Sequence, residues 1–236
     1  MTGPWKTERP SPPVKHHGIQ CIETTARNPF ASPASVDEYE AWYVTAGRRA
    51  DGLEKALLRR LLAAFPQATT ILEVGCGTGH FTRWFSGQGL QAMGLDLSWP
   101  MLAEAVRLGS PPCMQGDALA LPFSTGAFDL VALVTTLEFL PEPVLALTEA
   151  LRVARQGLLL GVLNRQSLLW LRSKREGGPI WGAARFFAPA ELSDLVYRAA
   201  TGRPTEIVWR TTLWPAWSGV LPLPWGGFIG MAVILP

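Results

Sequence analysis

The sequence predicts a three-layer α/β fold, a mainly parallel β-sheet with helices on both faces. Three observations predict it. First, the apolar run Ile71-Leu72-Glu73-Val74 leads into Gly75, Gly77 and Gly79 at alternate positions, and a helical pattern follows. Second, from residue 70 to residue 163 short apolar strands alternate with helix-period segments, as in successive βαβ units. Third, acidic residues close two consecutive strands, at Asp96 and Asp117. Right-handed crossovers place all these strand ends on one rim.

Composition bounds the answer. The chain has 236 residues, of which 48% are hydrophobic and 17% charged. That suits one globular domain with its own core and excludes a disordered chain. The net charge of +2 gives no electrostatic case for a nucleic-acid partner. Cys21, Cys76 and Cys113 have no metal-ligand spacing and cannot all pair, so they read as reduced thiols in a cytoplasmic protein. The Pro-rich, polar start lacks a signal-peptide pattern. The longest apolar runs fall short of the roughly 20 residues of a membrane span, so no integral membrane segment is expected.

Taken in order, residues 1–35 form a Pro-rich N-terminal arm, with His16-His17 read as solvated tail. Residues 36–236 form a single domain. From Val36 to Phe65 the pattern is helical, with Leu53, Leu57, Leu58, Leu61 and Leu62 packing on the sheet. Strand one is residues 70–75, and a helix follows over 78–86, ended by Gly87 and Gly89. Strand two is 91–95, closing on Asp96. The next helix is 100–108, with Pro100 in its first turn. Strand three is 112–116, strand four 128–135, the next helix 142–154 and strand five 157–163. A last helix over 189–200 precedes two segments of strand character, 206–214 and 228–235.

The glycines at 75, 77 and 79 allow positive φ and leave no Cβ in the way of a ligand. The helix beyond offers free N–H groups to a carboxylate or phosphate. A dinucleotide loop of the Gly-x-Gly-x-x-Gly kind remains an alternative, although His80 stands in the place of its third glycine. Asp96 is placed to accept two ribose hydroxyls. Asp117 followed by Ala118 offers an acceptor for an exocyclic amine and a backbone donor for a ring nitrogen.

Glu73-x-Gly75-x-Gly77-x-Gly79, Gly94-Leu95-Asp96-Leu97-Ser98, Gly116-Asp117-Ala118 and Phe128-Asp129-Leu130-Val131 resemble successive motifs of the class I S-adenosylmethionine (SAM)-dependent methyltransferases. The group nearest in flavour includes the ubiquinone and menaquinone C-methyltransferases. The resemblance covers residues 36–164 well and the remainder only in layout. It implies a Rossmann-like seven-stranded sheet with the last strand antiparallel, inserted between strands five and six. It implies SAM as cofactor and S-adenosylhomocysteine (SAH) as product. The cofactor would lie on Glu73, Gly75, Cys76, Gly77 and Gly79 and the strand-four end at Thr135. Asp96 would hold its ribose, Asp117 and Ala118 its adenine edge, and Leu97 its adenine face.

Many relatives carry a His-rich segment after strand four, and this chain has Thr135-Thr136-Leu137-Glu138-Phe139-Leu140-Pro141 instead. Glu138 is therefore the candidate that orients or deprotonates an acceptor. Methyl transfer requires in-line alignment and exclusion of water, and a base only for a poor nucleophile. No metal is required. Lid elements are expected at 36–48 and 164–188, bringing Tyr39, Trp42, Tyr43, Asn164, Arg165 and Phe187 to a small, fairly hydrophobic acceptor. The basic run Arg172, Lys174 and Arg175 is read as a solvated face. The tryptophans of the last third suggest a homodimer interface, a substrate channel, a membrane-touching surface or a cover for the sheet. The functional reading is methyl transfer to a small-molecule acceptor. The alternatives are a non-catalytic SAM-binding regulatory or assembly protein and an NAD(P)-dependent oxidoreductase.

Overall fold

The structure, a computed structural model, describes residues 29–45, 47–168, 170, 184–203, 205–214 and 219–236. The expectations for His16-His17, Cys21, the basic run at 172–175, Trp181, Trp217 and most of the N-terminal arm lie outside these residues.

Among the described residues, six α-helices and seven strands follow one another: α1 (Pro33–Val44), α2 (Arg48–Leu62), β1 (Thr70–Val74), α3 (His80–Gly87), β2 (Gln91–Asp96), α4 (Trp99–Arg107), β3 (Cys113–Gln115), β4 (Phe128–Val134), α5 (Pro143–Val153), β5 (Ala154–Leu163), α6 (Pro189–Ala200), β6 (Glu206–Thr212) and β7 (Phe228–Ile234). A short 3-10 turn spans Leu137–Phe139. The sheet order is β3-β2-β1-β4-β5-β7-β6. β1 to β5 pair in parallel, and β7 runs antiparallel to both β5 and β6. The last strand is thus inserted between the fifth and sixth, as the resemblance implied. Strand order reverses between β1 and β4, which makes a topological switch point where ligands bind in open α/β sheets.

Helix boundaries follow local chemistry. Ser32 caps α1 by accepting from the Ser35 N–H at 3.2 Å, and Pro33 opens the helix. Ser98 does the same for α4, with Pro100 in the first turn. The helical pattern over 36–65 resolves into two helices, and the chain turns between α1 and α2. The Gly47 N–H bonds back to the Trp42 carbonyl at 2.8 Å. The Trp42 ring lies where a Cβ on residue 47 would stand, 2.3 Å from its position, so the turn closes only on a glycine. β5 begins at Ala154, three residues earlier than expected.

Two apolar layers cover the sheet. Leu57, Leu58, Leu61, Phe81 and Phe85 of α2 and α3 pack on one face, and Leu147, Leu151, Leu192 and Val196 of α5 and α6 on the other. Central strands buried on both faces read as continuous apolar runs, and β4 is buried at every position. Asp129 sits at the start of β4, on the rim opposite the glycine loop. One of its oxygens accepts from the N–H and hydroxyl of both Thr69 and Thr70. The other takes two bonds from the Arg155 guanidinium. It therefore ties the starts of β1, β4 and β5 together. Among the described residues no helix is long and apolar enough to cross a membrane.

Candidate active site

The loop after β1 is built for close approach. Gly75, Gly77 and Gly79 all have positive φ, at 73°, 53° and 76°. A Cβ on Gly75 would also lie 2.3 Å from Thr136 Cγ2. Thr136 follows β4, and its hydroxyl donates to the Val74 carbonyl at 3.0 Å. Gly77 is the open face: the nearest atoms to a Cβ there would be those of Tyr39, at 3.8 Å. Gly79 turns the chain into α3. Cys76 is buried and tucks its sulfur against Gly94 of β2. Below the loop Glu73 is buried and accepts from the Thr82 hydroxyl, and burial pushes its carboxyl up to about 8.

Asp96, at the end of β2, holds the loop from the side. One carboxylate oxygen accepts from the Gly77 N–H at 2.7 Å and the other from the Ser98 N–H at 2.8 Å. Burial raises its pKa against the pull of these backbone donors. Each oxygen keeps a lone pair, so a vicinal diol fits the same carboxylate. Next to it Leu97 leaves an apolar side chain 44% exposed, a face for a flat ring. Asp117 is exposed, with one oxygen accepting from the Leu119 N–H at 2.9 Å. The Ala118 N–H bonds to no described residue. Together they present one acceptor and one donor at the end of β3. These groups fit the diol and the adenine edge of SAM, and the open face at Gly77 fits its amino-acid end.

The helix α1 covers the loop. Thr78 donates to the Glu40 carboxylate. The Tyr39 and Tyr43 hydroxyls are 3.0 Å apart, and burial pushes both pKa values up. Tyr43 stacks on His80, whose Nε2 lies 2.7 Å from Asp51 Oδ1 and 2.8 Å from Lys55 Nζ. Trp42 packs edge-on against Tyr43. Before α1, the Phe30 carbonyl accepts from the Ser98 hydroxyl at 2.6 Å, and its ring meets Tyr39 and Phe139 edge-on. The structure thus brings Tyr39, Trp42 and Tyr43 beside the glycine loop.

At the end of β4, Thr135 adopts φ 50°, rare for a β-branched residue, and its N–H bonds to Gly161 at 2.8 Å. Three residues on, Glu138 is buried. Its Oε1 accepts from the Leu163 N–H at 2.7 Å, and its Oε2 is buried with no hydrogen-bond partner. Burial pushes the carboxyl up to about 8. Glu54 of α2 is also buried, its carboxyl makes no hydrogen bond with a described residue, and it is pushed up to about 8 by burial and then by Asp51 and Glu138.

The second expected lid is only partly described. Arg165 is half-exposed and lies 3.2 Å from Glu191. Asn164 is buried and structural: its side-chain N–H groups donate to Pro224 and Gly226 at 2.6 and 2.7 Å. Phe187 is fully buried in the layer under α6 and bridges to Asn164. Neither presents its side chain to solvent, so these two sit apart from the exposed rim around Arg165.

Sequence reasoning missed Thr136, Glu54 and the Asp51–His80–Lys55 group. Glu54 carried a signal: it stands on the apolar stripe of α2, three and four residues before Leu57 and Leu58. Asp51 and Lys55 carried one too, as an i,i+4 pair on α2, whereas His80 and Thr136 had none, because their partners lie 25 or more residues away in sequence.

The comparisons agree with this geometry. Residues 72–160 match the family described as Methyltransferase domain. The malonyl-[acyl-carrier protein] O-methyltransferase of Erwinia billingiae is 38% identical over 105 residues, 43% of this chain and 42% of that one. The demethylmenaquinone methyltransferase of a Roseiflexus species is 36% identical over 150 residues, 61% of this chain and 59% of that one. The chain thus spans about half the length of these curated relatives. Among solved structures, a SAM-dependent methyltransferase of Thermotoga maritima, described as a possible histamine N-methyltransferase, superposes with a TM-score of 0.74 and 28% identity, covering 86% of this chain and 98% of that one. Residues 72–160 therefore match a methyltransferase domain, and the chain as a whole is similar to SAM-dependent methyltransferases, with demethylmenaquinone methyltransferases among its relatives.

Proposed function

We propose that the protein transfers a methyl group from SAM to a small-molecule acceptor. The observation that carries this reading is the Asp96 carboxylate at the end of β2, bonded to the Ser98 N–H and to the Gly77 N–H of the loop beside the switch point of the sheet. SAM supplies a methyl group already activated on a sulfonium, for in-line displacement by an acceptor lone pair. Asp96 accepts the ribose hydroxyls. Asp117 and Ala118 bond the adenine edge, and Leu97 packs on its face. Glu73, Gly75, Cys76, Gly77, Gly79 and Thr135 shape the place of the methionine part. α1 acts as a lid that excludes water through Tyr39, Trp42 and Tyr43.

Glu138 is the group we assign to the acceptor's proton. Its free Oε2 lies beyond the end of β4, and with its carboxyl near 8 it takes up a proton only once it has ionised. Of the second wall, Arg165 supplies the exposed edge and Asn164 and Phe187 the fixed base. A demethylmenaquinone methyltransferase among the relatives favours a small, fairly apolar acceptor. The free Cys76 and Cys113 support a cytoplasmic location. The exposed Trp225 is a candidate homodimer contact, which sedimentation would test.

Calorimetric titration with SAM, SAH and NADH tests the cofactor. Micromolar binding of SAM and SAH, lost in Asp96→Ala, is the expected result. NADH binding instead would overturn the reading. Transfer of a labelled methyl to an acceptor panel separates an enzyme from a SAM-binding module without turnover.

A further inference from the structure

Two free thiols meet beside the glycine loop. β2 and β3 pair in parallel with Gly94 opposite Cys113, so these two residues point to the same face of the sheet. Cys76, between Gly75 and Gly77, folds its side chain over that face. A Cβ on Gly94 would stand 2.7 Å from Cys76 Sγ, 3.0 Å from Cys76 Cβ and 3.3 Å from Cys113 Cβ. One missing side chain thus lets two cysteines approach across β2. Both Cβ atoms lie within 3.3 Å of one point, so they are less than twice that distance apart. A disulfide needs about 3.5–4.5 Å between them, so closing it takes a shift of at most about 2 Å.

The two thiols differ in access. Cys76 is buried, and burial, then Glu73 and Asp96, push its thiol well up. Cys113 is half-buried, and burial, then Asp96, raise its thiol. An oxidant from solvent therefore meets Cys113 first, and Cys76 meets only its neighbour. Both thiols keep their protons at neutral pH, so weak oxidants leave the pair reduced. The surroundings also decide which partner moves. Cys113 is fixed in a paired strand, whereas glycines at positive φ flank Cys76. The next residue is Gly77, whose N–H holds Asp96 at 2.7 Å. Drawing Cys76 toward β3 by a substantial part of 2 Å takes that hydrogen bond out of range.

We propose that Cys76 and Cys113 are an oxidative modification site, where a hydroperoxide makes a disulfide across β2 that releases the cofactor. Resting on the methyl-transfer reading, this makes SAM binding depend on thiol redox state. The Cys113 thiolate attacks one peroxide oxygen and breaks the O–O bond. Its sulfur becomes a sulfenic acid, and the other oxygen leaves as water or an alcohol. The Cys76 sulfur then attacks the Cys113 sulfur and expels the sulfenic oxygen as water. The two thiols lose two electrons and two protons, and the peroxide takes up both. A thiol reductant reverses the crosslink and returns the loop to Asp96.

The test uses the full chain with Cys21→Ser, which leaves these two cysteines alone. Hydrogen peroxide should lower the intact mass by two hydrogens, and peptide mapping should find Cys76 joined to Cys113. SAH affinity, measured by calorimetry, should fall about 10-fold or more, the loss of one charge-assisted hydrogen bond, and return with dithiothreitol. Saturating SAH should slow the crosslink about 10-fold, since it holds the loop against the shift. Adding Cys113→Ser should leave the SAH affinity of the reduced protein unchanged and abolish its loss on peroxide treatment, and Cys113→Ala should do the same. Two free thiols after prolonged peroxide, or a sulfinic acid at Cys113 without a crosslink, overturns the site. A crosslinked protein that binds SAH as well as the reduced one overturns the release of cofactor. Crosslinking in a protein whose reduced form ignores SAH supports the modification site while removing the methyl-transfer reading.

Discussion

The ring of Tyr43 stacks on the imidazole of His80, with centroids 3.7 Å apart and planes 19° from parallel. His80 is the first residue of α3, directly after the glycine loop, and Tyr43 belongs to the covering helix α1. Asp51 and Lys55 of α2 hold the imidazole edge. One residue thus connects the loop, α2 and the lid. This gives His80 a structural reason in a position where a dinucleotide loop would carry glycine.

The stack should show as energetic coupling. In urea unfolding, Tyr43→Ala should cost about 3 kcal/mol through the lost buried ring. His80→Ala should cost less. The double variant should fall short of their sum by about 0.5–1.5 kcal/mol, as for stacked aromatic pairs. Strict additivity would dismiss the link between loop and lid.

Asp96→Ala should weaken SAH about 100-fold, since two hydrogen bonds to a charged carboxylate are lost at about 1.5 kcal/mol or more each. Asp117→Ala, at an exposed strand end, should weaken SAH about 10-fold and leave urea stability unchanged. Calorimetry and unfolding on the same samples check both. Equal SAH affinity in wild type and Asp96→Ala would remove the ribose role.

Asp129 should behave in the opposite way. It accepts from Thr69, Thr70 and Arg155 on the far rim, and its carboxyl is held well below the usual range although burial opposes this. Asp129→Ala should cost about 2–4 kcal/mol of stability by leaving buried donors unpaired, without changing SAH affinity in the folded fraction. A changed SAH affinity at full folding would contradict a purely structural role.

Stability should fall on both sides of mildly acidic pH. Glu54, Glu73 and Glu138 have folded pKa values of about 8, above the ordinary 4.5. The folded chain keeps protons that the unfolded chain releases, so their contribution is full below about 4.5 and is lost as pH rises through 8. Asp129 is depressed, so its contribution is present above the ordinary carboxylate range and is lost on acidification. Thermal unfolding from pH 2 to 9 should show the dome. Glu138→Gln should flatten its alkaline side by up to about 1.4 kcal/mol per pH unit. An unchanged alkaline slope would mean that Glu138 is already ionised.

Much of the site was legible because it is local. Gly75, Gly77 and Gly79 declare their backbone within five residues, and Asp96 and Asp117 lie directly at strand ends. Pro100 announces α4 in its first turn, whereas α1 starts at Pro33, three residues before the expected helical pattern, because Ser32 caps it. The α1–α2 break was less legible, because it depends on the Trp42 ring folding back onto Gly47. Phe187 and Asn164 read as lid residues from their place in the chain, yet the packing of α6 and the segment before β7 buries both.

By itself, then, the sequence determined the α/β class and offered the cofactor-side candidates, through short-range periodicity, turn chemistry and spacing along one strand-helix unit. The inserted last strand came from the family resemblance alone. Only the tertiary structure decided which acids lose water, where Glu138 keeps a free oxygen, how His80 joins loop to lid, and that Cys76 and Cys113 meet beside Gly94. Most of those properties arise between residues 25 to 60 positions apart. Burial and long-range pairing exist only once the sheet has brought its strand ends to one rim.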